Sequence, residues 1–171
     1  MNILFLVFSN LVNIAKIFTF ILTAANVAVP GKDHTIFAEN LSRVIAENSP
    51  IFKNDENKTK TISVLVAVGK RESNLELEAT GDHGTSFCTF QINSSIGGND
   101  ELNKDPYKCG LKAYSFLKWS AKTCPEYPVA LYASGPTACE NSRAQKISRD
   151  RMNLANWILK ETEKKIIANS Q

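Results

Sequence analysis

The chain has 171 residues, of which 43% are hydrophobic and 22% charged, which excludes a disordered protein and leaves room for one compact domain behind a short leader. A second large domain does not fit. The net charge of +3 comes from basic residues scattered along the chain without aromatic interleaving, so nucleic acid is not an expected partner.

Residues 1–28 carry a single charge, Lys16, and polar sequence takes over at Gly31. Two readings fit. Either this is an export signal with its apolar stretch at 17–22 and cleavage after Ala25 or Ala28, or it is a retained membrane anchor, the chain's one route to a membrane. Both put the remaining domain, residues 29–171, outside the cytosol, in a periplasmic or extracellular setting. All four cysteines, Cys88, Cys109, Cys124 and Cys139, follow this segment, and an even count in an exported chain predicts two disulfides. Three connectivities are possible; Cys88 with Cys109 and Cys124 with Cys139 close the shortest loops. No spacing is of the CxxC type and His34 and His83 are far apart in sequence, so no metal site is expected.

Asp33 is placed to cap a helix carrying Ile36, Phe37, Leu41, Val44 and Ile45 on one side. Asn48-Ser49-Pro50 breaks it, and residues 51–60 read as a polar connection. Thr59 or Thr61 starts the next helix, where Ile62, Leu65, Val66 and Gly69 follow helical spacing and Val64 and Val68 make the run apolar on nearly every side. The β-branched residues also suit a buried strand, but Lys70, Arg71 and Glu72 continue the run without a turn signal, so a central buried helix is expected. Gly81 and Gly84 then flank Asp82-His83 as a tight turn. Residues 86–93 have strand composition, predicting a small β-ribbon.

Asp105-Pro106 starts a helix with an apolar stripe of Leu111, Tyr114, Leu117 and Ala121. A further short helix is expected from Cys124-Pro125 through Tyr132, stopped by Gly135-Pro136. The last helix runs from about Ser142 to Ile166, with Ile147, Leu154, Ala155 and Ile158 inward. Trp119 and Trp157 read as core or helix-packing residues. The predicted class is mainly α, of the α+β type, with the ribbon beside a cleft.

Three separated pieces stand out: Glu72-Ser73, then Phe90-Gln91-Ile92-Asn93, then Ala130-Leu131-Tyr132-Ala133-Ser134-Gly135. In this order they resemble the lysozyme-like superfamily, most closely soluble lytic transglycosylase and goose-type lysozyme domains, over residues 62–135. There a Glu-Ser pair ends a buried helix, a Gly-Leu-Met-Gln-like segment lines the cleft, and an Ala-Tyr-Asn-Ala-Gly-like helix end faces it. The chain departs from that pattern at Cys88 in place of the glycine, Thr89-Phe90 in place of Leu-Met, and Ala133-Ser134 in place of Asn-Ala.

The resemblance implies cleavage of the β-1,4 bond between N-acetylmuramic acid and N-acetylglucosamine in peptidoglycan glycan strands, by a monomer without a cofactor. Glu72 is the implied general acid. A lytic transglycosylase needs only that carboxylate, whereas an inverting hydrolase needs a second one to activate water. Asp82 is the candidate, because its Gly81-Asp82-His83-Gly84 turn resembles the goose-type arrangement that carries an aspartate there, with Glu76 and Glu78 behind it; the further aspartate of that pattern is here Asn93. That loss tilts the expectation towards transglycosylation; a module that binds wall without turnover is the non-enzymatic alternative. Ser73 is a candidate to orient Glu72, Gln91 and Asn93 to bond sugar hydroxyls and acetamides, and Tyr132 to pack on a sugar ring.

Overall fold

The computed structural model describes residues 3–135 and 137–171, with side chains from residue 13 onwards except those of 133 and 134. The fold is mainly helical with one small antiparallel sheet. Helix α1 spans Ile3–Ala28 and packs against α2 (Thr35–Glu47), α3 (Thr59–Ser73) and α7 (Ser142–Ala168). Its buried residues Ile17, Phe20, Ile21, Ala24, Ala25 and Ala28 recur every three or four positions, the stripe of a helix docked on a core. Both expected cleavage points therefore fall within this helix, Ala25 fully buried and Ala28 at its end. Among the described residues, no helix is long and apolar enough to cross a membrane.

The His34 ring donates from Nε2 to the Val29 carbonyl (2.8 Å) and so joins α1 to α2. The N-cap position of α2 is taken by His34, not by Asp33 as expected; Asp33 stands one residue before it and accepts from the Thr35 amide (2.9 Å). Lys58 closes the other end of α2 by donating to the carbonyls of Ile45 and Asn48 (2.6 Å each), and burial pushes its pKa down.

Helix α3 is the centre of the molecule. Ile62 and every residue from Val64 to Gly69 are buried, the apolar-all-round pattern of a helix enclosed by others. The strand alternative is not what forms. Asp55 accepts from the amides of Lys60 and Thr61 and from the Thr61 hydroxyl, satisfying donors that the first turn leaves without helical partners. Asn74 ends the helix in the left-handed region (φ 58°).

The ribbon is smaller than its sequence suggests. Strands β1 (Thr80–Gly81), β2 (Ser86–Phe87) and β3 (Ile92–Asn93) pair antiparallel in that order, with Thr80 opposite Phe87 and Ser86 opposite Asn93. Cys88 (φ 61°) and Gln91 (φ 48°) sit in the left-handed region, which interrupts extended backbone between β2 and β3. Behind the sheet Gly98 approaches so closely that a Cβ there would lie 1.9 Å from the Ile92 carbonyl oxygen. No other residue fits that position.

Helices α4 (Asp100–Lys104) and α5 (Pro106–Thr123) follow, and Asp105 caps α5 by accepting from the Lys108 amide (3.0 Å). The short α6 covers only Ala130–Ser134, because residues 124–129 form successive turns, with Tyr127 donating to the Cys124 carbonyl and Ala130 to that of Tyr127. Gly135 takes a positive φ of 71°; Pro136, its expected partner in ending α6, lies outside the described residues. Disulfides join Cys88 to Cys109 and Cys124 to Cys139, the pairing that closes the shortest loops. Such bonds fit an oxidising, exported environment. Trp119 and Trp157 are 42% and 48% exposed and so lie outside the core, and Trp119 packs on Phe116 of the same helix with ring centroids 5.3 Å apart.

Candidate functional site

A cleft of about 620 Å³ opens between the end of α3, the ribbon, α6 and the first half of α7. That size is typical of small-ligand sites. Glu72, Asp82, Gln91, Asn93 and Tyr132 all line it, with Phe116, Leu131 and Ile147 supplying apolar wall. Three stretches, around Glu72, over residues 82–93 and around Tyr132, thus contribute these polar groups to one space.

Glu72 occupies the last turn of α3, and its side chain is only 19% exposed. Burial raises its pKa above the ordinary glutamate value; the Arg151 charge opposes this, the Asp82 charge adds to it, and a hydrogen bond from Arg151 opposes it again. The carboxyl is ion-paired, since Arg151 Nη2 donates to Glu72 Oε1. Burial outweighs the pair, so the protonated form persists to higher pH than in a free glutamate.

Tyr132 brings its ring to the cleft from α6 and donates its hydroxyl to the Phe90 carbonyl. Burial, then the Glu72 charge, raise its pKa well above the usual phenol value, so it remains a neutral hydrogen-bonding group. Its ring also stands edge-on to Phe116, with centroids 5.4 Å apart.

Asp82 lies in the turn after β1, in left-handed conformation with His83, and accepts from the Ser86 hydroxyl (2.6 Å). One carboxylate oxygen is thereby tied to the ribbon while the residue still lines the cleft. Gln91 donates both amide hydrogens inwards, to the carbonyls of Ala79 and Cys88 (3.0 Å each). Only its carbonyl oxygen remains for a ligand. Asn93 accepts through Oδ1 from the amide and hydroxyl of Ser95 and donates weakly to Ser86 and Thr85, at 3.3 and 3.4 Å. Those long contacts leave its amide group the more easily recruited of the two. Ser73 stands a step back: its hydroxyl donates to the Thr89 carbonyl (2.8 Å) and clamps the end of α3 to the ribbon.

The ribbon's attachment also accounts for the backbone at Cys88, whose φ of 61° is one that glycine adopts freely. Here the disulfide to Cys109 and a bond from the Cys88 amide to Asn103 Oδ1 (2.6 Å) hold a β-carbon-bearing residue in that conformation.

Arg151 escaped the sequence reading. It continues the inward stripe of α7, four residues from both Ile147 and Ala155, and that register was the available signal. Among the described residues, no group of three or more His, Cys, Asp or Glu side chains is arranged to hold a metal ion. No family model matches the chain, and neither a curated protein nor a solved structure is significantly similar to it. Chemically, the site offers a buried carboxyl whose pKa is raised, a second carboxylate, amides and a neutral phenol: the parts of acid/base chemistry on a polar, hydroxyl-rich ligand.

Proposed function

We propose that this protein cleaves peptidoglycan glycan strands at the β-1,4 bond between N-acetylmuramic acid and N-acetylglucosamine, with Glu72 as general acid and then base. The supporting observation is the convergence on one cleft of Glu72, Asp82, Gln91, Asn93 and Tyr132, around a carboxyl whose burial favours its protonated form. Protonated Glu72 donates to the glycosidic oxygen as the bond to the anomeric carbon breaks through an oxocarbenium-like state. In the lytic transglycosylase form the resulting carboxylate takes the proton of the muramyl 6-hydroxyl, whose oxygen closes on the anomeric carbon to give a 1,6-anhydro product. Glu72 ends protonated, as it began. The two disulfides suit the exported setting where such a polymer is found.

Hydrolysis is the second reading, favoured by the placement of Asp82 on the same cleft. It requires Asp82 to activate water across a gap of roughly 6.5–9.5 Å. Its bond to Ser86 competes with that task, so transglycosylation is preferred. Mass spectrometry of purified walls digested by the full chain separates the cases. Anhydromuropeptides that persist with Asp82→Asn identify the transglycosylase; reducing ends that vanish with it identify the hydrolase. Sedimentation with walls but no released fragment would leave only a binding module.

A further inference from the structure

We infer that Arg151 is a positioning residue for the proposed reaction: its guanidinium fixes the Glu72 carboxyl and stabilises the carboxylate formed once the proton has passed to the departing sugar oxygen. The inference rests on the proposed glycan cleavage, but its geometry is independent of the substrate. Arg151 is only 12% exposed, and it interrupts a face of α7 that otherwise buries Ala144, Ser148, Ala155, Ile158 and Thr162. An arginine there desolvates a charge, and a buried ion pair is often replaceable by apolar side chains without loss of stability. Stability alone therefore gives no reason for it.

The hydrogen bonds point the same way. Nη2 is committed to Glu72, while Nη1 is buried without a partner among the described residues. The site thus tolerates an unsatisfied donor so that a positive charge can lie against the acid. The guanidinium also sits 5.9 Å from the centre of the Tyr132 ring, so the residue that holds Glu72 is steadied by a second cleft residue.

As Glu72 Oε gives its proton to the glycosidic oxygen, the C1–O bond breaks and negative charge appears on the carboxylate. Arg151 is already in place to meet that charge without reorganisation. When the muramyl 6-hydroxyl, or water, returns a proton to Glu72, the pair reverts to its starting state. Arg151 neither gives nor takes a proton. The charged and titratable groups facing Glu72 are Arg151 from α7, Asp82 from the turn after β1 and Tyr132 from α6; Arg71 and Asp150 line an adjoining hollow with Arg151.

The test compares wild type, Arg151→Met and Arg151→Lys in the full chain. Loss of the guanidinium lowers kcat about 100-fold, the scale of one preorganised donor to developing charge, with KM changed far less. Activity needs protonated Glu72, so it falls as pH rises through the pKa of that group. Removing the positive charge raises this pKa further, moving the alkaline limb of kcat/KM to higher pH; Asp82→Asn removes a negative charge and moves it to lower pH. Lysine restores part of both kcat and the wild-type limb. Should Arg151→Met be too slow to profile, the ¹³C carboxyl resonance of Glu72 gives its pKa directly, expected above wild type.

An alkaline limb or carboxyl titration that stays put, or moves down, in Arg151→Met would overturn the inference and leave the residue a structural staple. An active Glu72→Gln variant would instead remove the proposed function. The carboxyl titration would still report on the pair, so the two failures are distinguishable.

Discussion

The two sides of the cleft are built by different means. Glu72 is delivered by α3, whose residues from Val64 to Gly69 are all buried, so its position is set by close packing. Across the cleft, the ribbon has strands of two residues each, and Asp82, His83, Cys88 and Gln91 all have positive φ. That side anchors Phe90 and Ile92 in the same core, and its irregular backbone is held by hydrogen bonds and by the Cys88–Cys109 disulfide. Helix α6, which presents Tyr132, rests on a small separate cluster of Leu131, Ala130, Ala138 and Ala144 and is bracketed by Cys124–Cys139. The acid thus sits on the rigid side, where its burial cannot easily be lost. The ligand-facing groups sit on the side whose order depends on cross-links.

The sharpest way to break this contrast is at the acid itself. Glu72→Gln keeps the shape and can still accept from Arg151, but it has no proton to donate; lysis of purified walls falls about 1,000-fold, within the usual range for loss of a general acid. Packed volume does not change, but the buried Arg151 charge loses its carboxylate partner, so thermal unfolding is expected to fall by several degrees and lysis is compared below the onset of unfolding. Retained lysis by this variant would refute Glu72 as the general acid.

Next in size is the loss of the cross-links. Each disulfide closes a loop whose constraint contributes about 3 kcal/mol in the chain-entropy model. Reduction should therefore disable the ribbon and α6 sides first. With dithiothreitol, wall lysis is expected to fall in a range of urea where far-UV circular dichroism still reports intact helix. Coincident loss of both signals would show that the two sides unfold as one unit and erase the distinction.

The same division explains what could be read from the sequence. Elements defined by apolar periodicity were legible: α2, α3, α5 and α7 form where their stripes predict, and the Asp105-Pro106 start holds. Local composition served less well where long-range contacts decide. Residues 124–129, expected to open a helix, form turns, and the strand-like stretch 86–93 yields only two short strands separated by left-handed residues. Within residues 1–28 the spacing of Ile17, Ile21, Ala24 and Ala28 is the core stripe that α1 uses. Of the candidate site residues, Glu72, Asp82, Gln91, Asn93 and Tyr132 share one cleft. Sequence could not reveal that both Gln91 hydrogens and the Ser73 hydroxyl are already engaged by backbone carbonyls, nor that Arg151 reaches the acid from 79 residues away.

The smallest expected effect probes the ribbon side at a single dihedral angle. Cys88 holds φ at 61°, where a residue with a β-carbon is disfavoured by roughly 1–2 kcal/mol and glycine is not. In a Cys109→Ala background, which removes the cross-link, Cys88→Gly and Cys88→Ser both lose the disulfide's contribution. They differ in backbone preference at position 88, against which stands the extra entropy that glycine loses on folding, about 0.5–1 kcal/mol. The glycine variant should therefore be the more stable by about 0.5–1 kcal/mol in urea denaturation and should recover more lysis. If serine equals or exceeds glycine, the left-handed geometry is imposed by the disulfide and relaxes without it. The cysteine would then set the ribbon's shape, not merely hold a shape that glycine would otherwise supply.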